Sequence, residues 1–419
     1  MKVQENYRKT ILDNGIRVVT ERIPHVRSVS IGIWIQAGTC DEAPEYNGVA
    51  HFVEHMVFKG TETRSSLEIA DAIESLGGSI NAFTSKELTC FYAQVLDENI
   101  EVALEILSDL VLHPRLDEND IEREKGVVLE EIMELEDTPS ELVHEIFIQD
   151  LFKPHPLSFS ILGTKETVQR LGREDILRFM SENYSANRVV VAAAGNLDHN
   201  HVVRLAEKFL GRLSSASSRN LPELPPERPA TNVVKNRFQQ AHICIGRRAF
   251  HYTHPKRYPL LLLNTILGYG MSSRLFQNIR EKHGLAYSIY SFADFLKDTG
   301  IFGVYLGTDP ENIDLSVELV KKELKDLKEN HLDNGELEKR KNQLKGNLIL
   351  GLESTSGRMN RLAKMEIYRG DFLSIETIIQ SINAVTEEDI HSVAEELFDD
   401  HQLYLTILKP EENGQGLSG

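Results

Sequence analysis

The residues best placed to do chemistry are His51-Phe52-Val53-Glu54-His55. On a helix, positions four apart share a face, so both imidazoles can reach one divalent ion. Glu54 lies close to that face and can accept a proton from water activated at the ion. Two imidazoles and a base suit metal-assisted hydrolysis, provided a third protein ligand leaves one coordination position open for water. The stretch 117–135 offers carboxylates for that role. Glu124 and Glu131 are seven apart, about two helical turns, so one can bind the metal while the other supports a ligand from behind. On spacing alone Glu122, Glu130 and Glu134 remain candidates as well.

These side chains must be held by elements that the sequence also marks. Leu12-Asp13-Asn14-Gly15-Ile16 carries Asn-Gly at its centre, the strongest short hairpin signal. Residues 29–36 alternate and are rich in Ile, Val and Trp, as a strand should be. A helix is expected over 47–58, and a second over 66–76 ending at Gly77-Gly78. Residues 80–95 read as two strands around Lys86-Glu87, followed by helices over 99–112 and 117–135. Asp117 or Asn119 can cap the last of these.

A break follows Leu213. Ser214, Ser215, Ala216, Ser217 and Ser218 lead into Pro222, Pro225, Pro226 and Pro229, four of the 14 prolines within eight residues, which marks a semi-stiff linker. Beyond it the order of the first half returns. Residues 241–246 alternate as 29–32 do. Asn99 and Asn312 each precede an amphipathic helix, and Thr138 and Thr355 each follow a long charged one, at offsets of 213 and 217. At the latter offset Glu131 falls on Leu348, and the second half has no HxxEH, so only the first copy carries the chemistry. The expected domains are 1–213 with the metal site, 214–235 as linker, and 236–419 as a similar unit without metal.

Composition bounds the function. A chain of 419 residues with 41% apolar content can fill two to four cores. Cys40, Cys90 and Cys244 lack the spacing of a disulfide framework or a thiolate metal site, and read as buried structural thiols. The formal net charge of −18 disfavours nucleic acid, which needs a basic footprint, and would suit a cationic substrate. No apolar run is long enough to span a bilayer, and Met1 to Thr10 have no apolar signal core. The expectation is a cytoplasmic protein without a membrane anchor.

Residues 48–61, GVAHFVEHMVFKGT, resemble the signature of pitrilysin-type zinc metallopeptidases, the inverzincins with their inverted HxxEH order. Within them they are most similar to the beta subunit of mitochondrial processing peptidase and its bacterial relatives. Residues 124–132 look like that family's distal motif, and Glu131 lies 76 positions beyond His55, the family's spacing. The resemblance thus implies one zinc ion per chain on His51, His55 and Glu131, with Glu54 as catalytic base and Glu124 as the carboxylate behind a ligand. It covers nearly the whole chain. Ser79 to Thr84 are similar to the edge strand on which such enzymes lay substrate, which places Asn81, Ala82 and Phe83 along it. Arg280 and Tyr287 match the family's second signature. They would grip substrate carbonyls and stabilise the charge developing on the one under attack. By residue type alone, Arg280 reads as surface and Tyr287 as core. Phe58 matches a residue lining the pocket just after the scissile bond. Glu141 and Glu145 match an acidic pair that reads an arginine near the cut.

The fold implied is α+β: two similar halves, each a mainly antiparallel sheet with helices packed on it, forming a clamshell. The implied function is a zinc endopeptidase that cleaves peptides or unfolded and precursor segments in a closed acidic chamber, as a homodimer, with a preference for basic residues. The alternatives are a non-catalytic family member serving as a structural subunit, a structural zinc protein, and an inert peptide-binding module. The presence of His51, Glu54, His55 and Glu131 together speaks for the enzyme.

Overall fold

A computed structural model describes residues 5–215, 219, 221–333 and 335–411. Of the expected linker, residues 216–218 and 220 lie outside the described residues, as do Met1 to Gln4. In chain order the first half contains β1 (Tyr7–Ile11), β2 (Arg17–Arg22), β3 (Ser28–Ile35), α1 (Val49–Val57), α2 (Ser66–Glu74), β4 (Ser79–Thr84), β5 (Thr89–Leu96), α3 (Ile100–Leu112), α4 (Glu118–Asp137), α5 (Pro139–Phe152), α6 (Lys165–Arg170), α7 (Arg173–Asn183), β6 (Val189–Gly195) and α8 (His199–Leu210). The second contains β7 (Thr231–Asn236), β8 (Ala241–Ala249), α9 (Arg257–Gly268), β9 (Ala286–Phe295), β10 (Gly300–Thr308), α10 (Ile313–Glu329), α11 (Glu336–Gly351), α12 (Thr355–Tyr368), α13 (Ile375–Ala384), α14 (Glu387–Leu397) and β11 (Tyr404–Pro410). Residues 231–235, expected in the linker, instead form most of β7, because parallel pairing with β11 satisfies their backbone groups.

The strands form two mixed sheets. One has the order β1-β2-β6-β3-β5-β4 and the other β7-β11-β8-β10-β9. Each contains a single parallel pair, β2 with β6 and β7 with β11, among antiparallel neighbours. With β1 set aside, the two sheets match strand for strand. The Asn-Gly turn joins β1 to β2, pairing Ile11 with Arg17, and Gly15 supplies a φ of +96° that a side chain would resist.

The chain divides into two compact units, and neither is contiguous. The first comprises Met1–Glu134, Pro154–Leu224 and Ile349–Glu376. The second comprises Leu135–Lys153, Pro225–Leu348 and Thr377–Gly419. Helix α5, from the first half of the sequence, thus packs on β8 and β11 of the second unit, and α12, from the second half, packs on β2, β3 and β6 of the first. Strand β3 shows why the first sheet needs a cover on both faces. Val29, Ile31, Ile33 and Ile35 join the core that also holds α1 and α3. Ser30 and Gly32 face the other way, with Ser30 Oγ 2.8 Å from Thr355 Oγ1 on α12. A Cβ at Gly32 would stand 3.3 Å from Met359 Sδ of the same helix. Every residue of β6 and β10 is buried, as strands covered on both sides require.

Candidate metal centre

Helix α1 is short, and its start is fixed by a carboxylate that sequence reading missed. Glu42, fully enclosed, accepts from Gly48 N at 2.8 Å, Ala50 N at 2.7 Å and Asn47 Nδ2 at 2.7 Å. It thereby satisfies main-chain donors that a helix N-terminus otherwise leaves unpaired. Burial pushes its carboxyl up to about 8, against the pull of these donors. Gly48 precedes the helix at φ +96°, and a Cβ there would come within 2.8 Å of Leu162 O, so only glycine fits. No local pattern marks Glu42, because its role exists only once the loop before α1 has folded back over the helix end.

From this helix His51 and His55 project on one face, with Nε2 atoms 3.2 Å apart. Glu131 of α4 reaches both, its Oε2 3.7 Å from His51 Nε2 and its Oε1 3.6 Å from His55 Nε2. Zinc bound at its usual 2.0–2.1 Å would separate tetrahedral donors by about 3.3 Å. The three residues therefore stand close to the spacing of one shared ion. Glu131 Oε2 is buried without a hydrogen-bond partner among the described residues, an acceptor that a cation would satisfy. Burial, with His55 nearby, holds the His51 imidazole down to about 4, so the neutral ligand form persists. The donor set of two imidazoles and one carboxylate thus fits zinc, with room left for water. Glu122, Glu130 and Glu134 are exposed on α4 and do not join the group.

Behind the ligands stands Glu124, 5% exposed. His55 Nδ1 donates to its Oε1 at 2.8 Å, which leaves the Nε2 lone pair free, and Lys59 Nζ meets its Oε2 at 2.6 Å. Lys59 balances the buried charge, a role its place in the motif did not announce. Glu54 lies beside the group, and Thr84 Oγ1 of β4 donates to its Oε2 at 2.6 Å. Burial pushes the Glu54 carboxyl up, and the Thr84 hydrogen bond opposes it. Glu54 is thereby tied to the end of β4, an edge strand that among the described residues pairs only with β5. Asn81, Ala82 and Phe83 lie on that strand, and Phe58 caps α1 and packs against the core.

The other expected site residues belong to the second unit. Arg280 sits in a π-helical turn, Phe276–Lys282, with its guanidinium 4.8 Å from the centre of the Phe276 ring and 5.8 Å from that of Tyr287. Tyr287 is 78% exposed on β9, so the reading of its residue type as core was wrong. It is the second residue of β9, an edge strand that among the described residues pairs only with β10. Glu141 is exposed and Glu145 half-buried on α5. Cys40, Cys90 and Cys244 are buried and free.

Fold and site together describe a peptidase of the insulinase type. Residues 17–165 match the family model described as Insulinase (Peptidase family M16), and 170–344 match Peptidase M16 inactive domain. The chain belongs to peptidase family M16. It is 40% identical over 96% of its length to an uncharacterized zinc protease of Bacillus subtilis, covering 97% of that protein. It is likewise 40% identical over 93% of its length to an uncharacterized zinc protease of Streptomyces coelicolor, covering 87% of it. A crystal structure of a protease from Helicobacter pylori shares the fold at a TM-score of 0.91 and 24% identity, over 97% of this chain and 100% of that one. Among the described residues, no helix is long and apolar enough to cross a membrane.

Proposed function

We propose that this member of family M16 is an active zinc endopeptidase acting on peptides or unfolded and precursor segments, as a cytoplasmic homodimer. The observation that carries the reading is the convergence of His51 Nε2, His55 Nε2 and Glu131 at 3.2–3.7 Å, with Glu54 on the same short helix. Zinc held by these three residues supplies Lewis-acid polarisation of the carbonyl and lowers the pKa of water toward neutrality. Thr84 orients Glu54 through Oε2 and leaves Oε1 to meet the attacking water. Glu54 takes the proton of that water and later gives it to the leaving amine, as such bases do. Glu124 holds the His55 tautomer throughout. The β4 edge takes the substrate backbone as an added strand, a mode of binding that main-chain hydrogen bonds make independent of most side chains. Arg280 and Tyr287 engage substrate carbonyls, Tyr287 donating to the oxygen as it gains charge. Phe58 contacts the residue after the cut, and Glu141 and Glu145 favour a basic residue near it.

The test is hydrolysis of a mixed peptide library, with zinc content, chelator and Glu54→Gln measured alongside. The expected result is chelator-sensitive cleavage that falls by about 10³-fold or more in Glu54→Gln while zinc is retained. Zinc at one per chain without cleavage would overturn the enzyme in favour of a peptide-binding or structural subunit.

A further inference from the structure

The geometry points to a second divalent-metal site, formed in the second unit by His331, Glu387 and His391. Their ligand atoms all lie within 4.8 Å of one another. Glu387 Oε1 is 2.9 Å from His331 Nδ1 and 3.5 Å from His391 Nε2. Those two distances bracket the about 3.3 Å that separates tetrahedral donors around zinc.

The three come from two elements that are locked together before any ion arrives. Glu387 opens α14, and His391 stands one turn later on the same face. The helix start is rigid, because Thr386 Oγ1 accepts from Asp389 N at 3.2 Å while Asp389 Oδ2 accepts from Thr386 N at 2.8 Å. His331 arrives on the segment after α10. Leu332 N also donates to Glu387 Oε1, at 2.8 Å, so the backbone beside His331 is pinned to the same oxygen. The two imidazole planes stand 89° apart with centroids separated by 5.9 Å, which turns their nitrogens toward the carboxylate between them instead of stacking the rings.

Two imidazoles and a carboxylate select a borderline transition cation such as zinc, cobalt or nickel over magnesium or calcium, which prefer all-oxygen shells. His331 is 93% exposed in its side chain, so water completes the coordination and the ion exchanges readily. The ion takes the place of the His331–Glu387 hydrogen bond and binds both atoms, with the imidazole proton passing through solvent from Nδ1 to Nε2, so that neutral imidazole is the ligand. Its effect is to clamp the segment after α10 onto α14. Neither residue run resembles the HxxEH signature, and the proposal is of a binding site, not of a second catalytic centre.

The test uses the full chain carrying His51→Ala and His55→Ala, stripped of metal and titrated with Co²⁺ and Zn²⁺ by calorimetry, with the cobalt visible spectrum recorded. The expected result is one equivalent of metal bound. His391→Ala, or the fully exposed change His331→Ala, should then weaken it more than about tenfold, since loss even of a group behind a ligand costs that much. In the otherwise unaltered chain, His331→Ala with His391→Ala should lower metal content by one equivalent and leave the first site loaded. No binding in the His51/His55 background, or binding unmoved by both His331→Ala and His391→Ala, would overturn the site. The outcome is independent of whether the protein cleaves peptides.

Discussion

The first unit and the second repeat one sheet order, and the helix that follows the second matching strand differs sharply between them. In the first unit that helix is α1, with His51, Glu54 and His55. In the second it is α9, whose RYPLLLLNTILG contains no histidine and no carboxylate. The long helices α4 and α11 differ in the same sense. At the offset of 217, Glu131 stands opposite Leu348 and Glu124 opposite Lys341. Lys341 is buried as Glu124 is, but it donates to Glu338 Oε1 of its own helix at 2.8 Å and to Asn383 O of α13 at 3.0 Å, contacts that include no imidazole. One scaffold therefore tolerates either a cluster of potential metal ligands or a packed apolar helix at the same place, since strand pairing and core burial do not depend on which is present.

The helices exchanged between the halves of the sequence differ too. On the first sheet, α12 is docked by ion pairs: Arg358 with Glu21, Arg361 Nη1 with Glu5 Oε1 at 2.6 Å, and Glu366 Oε1 with Lys9 Nζ at 2.8 Å. On the second, α5 is docked by aromatic contacts and by hydrogen bonds to single charged groups, Asp150 Oδ2 accepting from Asn232 Nδ2 at 2.8 Å and Arg248 Nε donating to Leu151 O at 2.8 Å. His144 Nε2 meets the Tyr290 hydroxyl at 2.9 Å, and Phe147 packs edge-on to Phe292. Paired buried charges fix a register at some cost in desolvation, whereas the aromatic contacts of α5 bury area without pairing two charges.

That contrast can be broken by substitution, beginning where the effect is largest. Arg358→Met leaves Glu21, 1% exposed, without its partner, and is expected to cost about 3–5 kcal/mol. A denaturation midpoint within error of the parent would mean that charge does not hold α12. Next, Glu124→Gln should weaken zinc binding about 10–100-fold, while Lys341→Met at the matching position should leave affinity unchanged. Equal effects in a competition titration would erase the distinction drawn between α4 and α11. The smallest effect concerns α5. Burial holds the His144 imidazole down to about 4 from 6.5, so the unfolded chain takes up a proton first as pH falls. Stability from His144 is whole above pH 6.5 and declines through pH 4, with about 1 kcal/mol lost by pH 5 after allowance for its partial exposure. His144→Gln should flatten that part of the pH profile of unfolding, and an unchanged slope would remove His144 from the account of α5.

Much of this was legible in the residues. The helices around His51 and through Glu131, the strands on either side of Lys86-Glu87, and the Asn-Gly turn all lie within two residues of their expected limits. Asp117 caps α4 as foreseen, its Oδ1 accepting from Asn119 N at 2.9 Å. The discontinuous units were not legible, because α5 and α12 carry amphipathic faces that fit either sheet in a linear reading. Thr84 and Glu42 were also missed. Each touches the site across a fold in the chain, 30 residues from Glu54 in one case.

By itself the sequence determined that two histidines share a helical face with a glutamate close to it, that a carboxylate-rich helix follows, and that the second half holds no HxxEH run. Such features rest on hydrogen bonding and side-chain periodicity within a few residues, which contiguous sequence encodes. Spacing left the third ligand open among five glutamates, and the family resemblance named Glu131. Only the tertiary structure brought Glu131 to the histidines, placed Glu124 behind His55, tied Glu54 to an edge strand, and sent α5 and α12 to each other's sheets. Those outcomes depend on which faces bury against one another over hundreds of residues, and that choice is made by packing and not by local pattern.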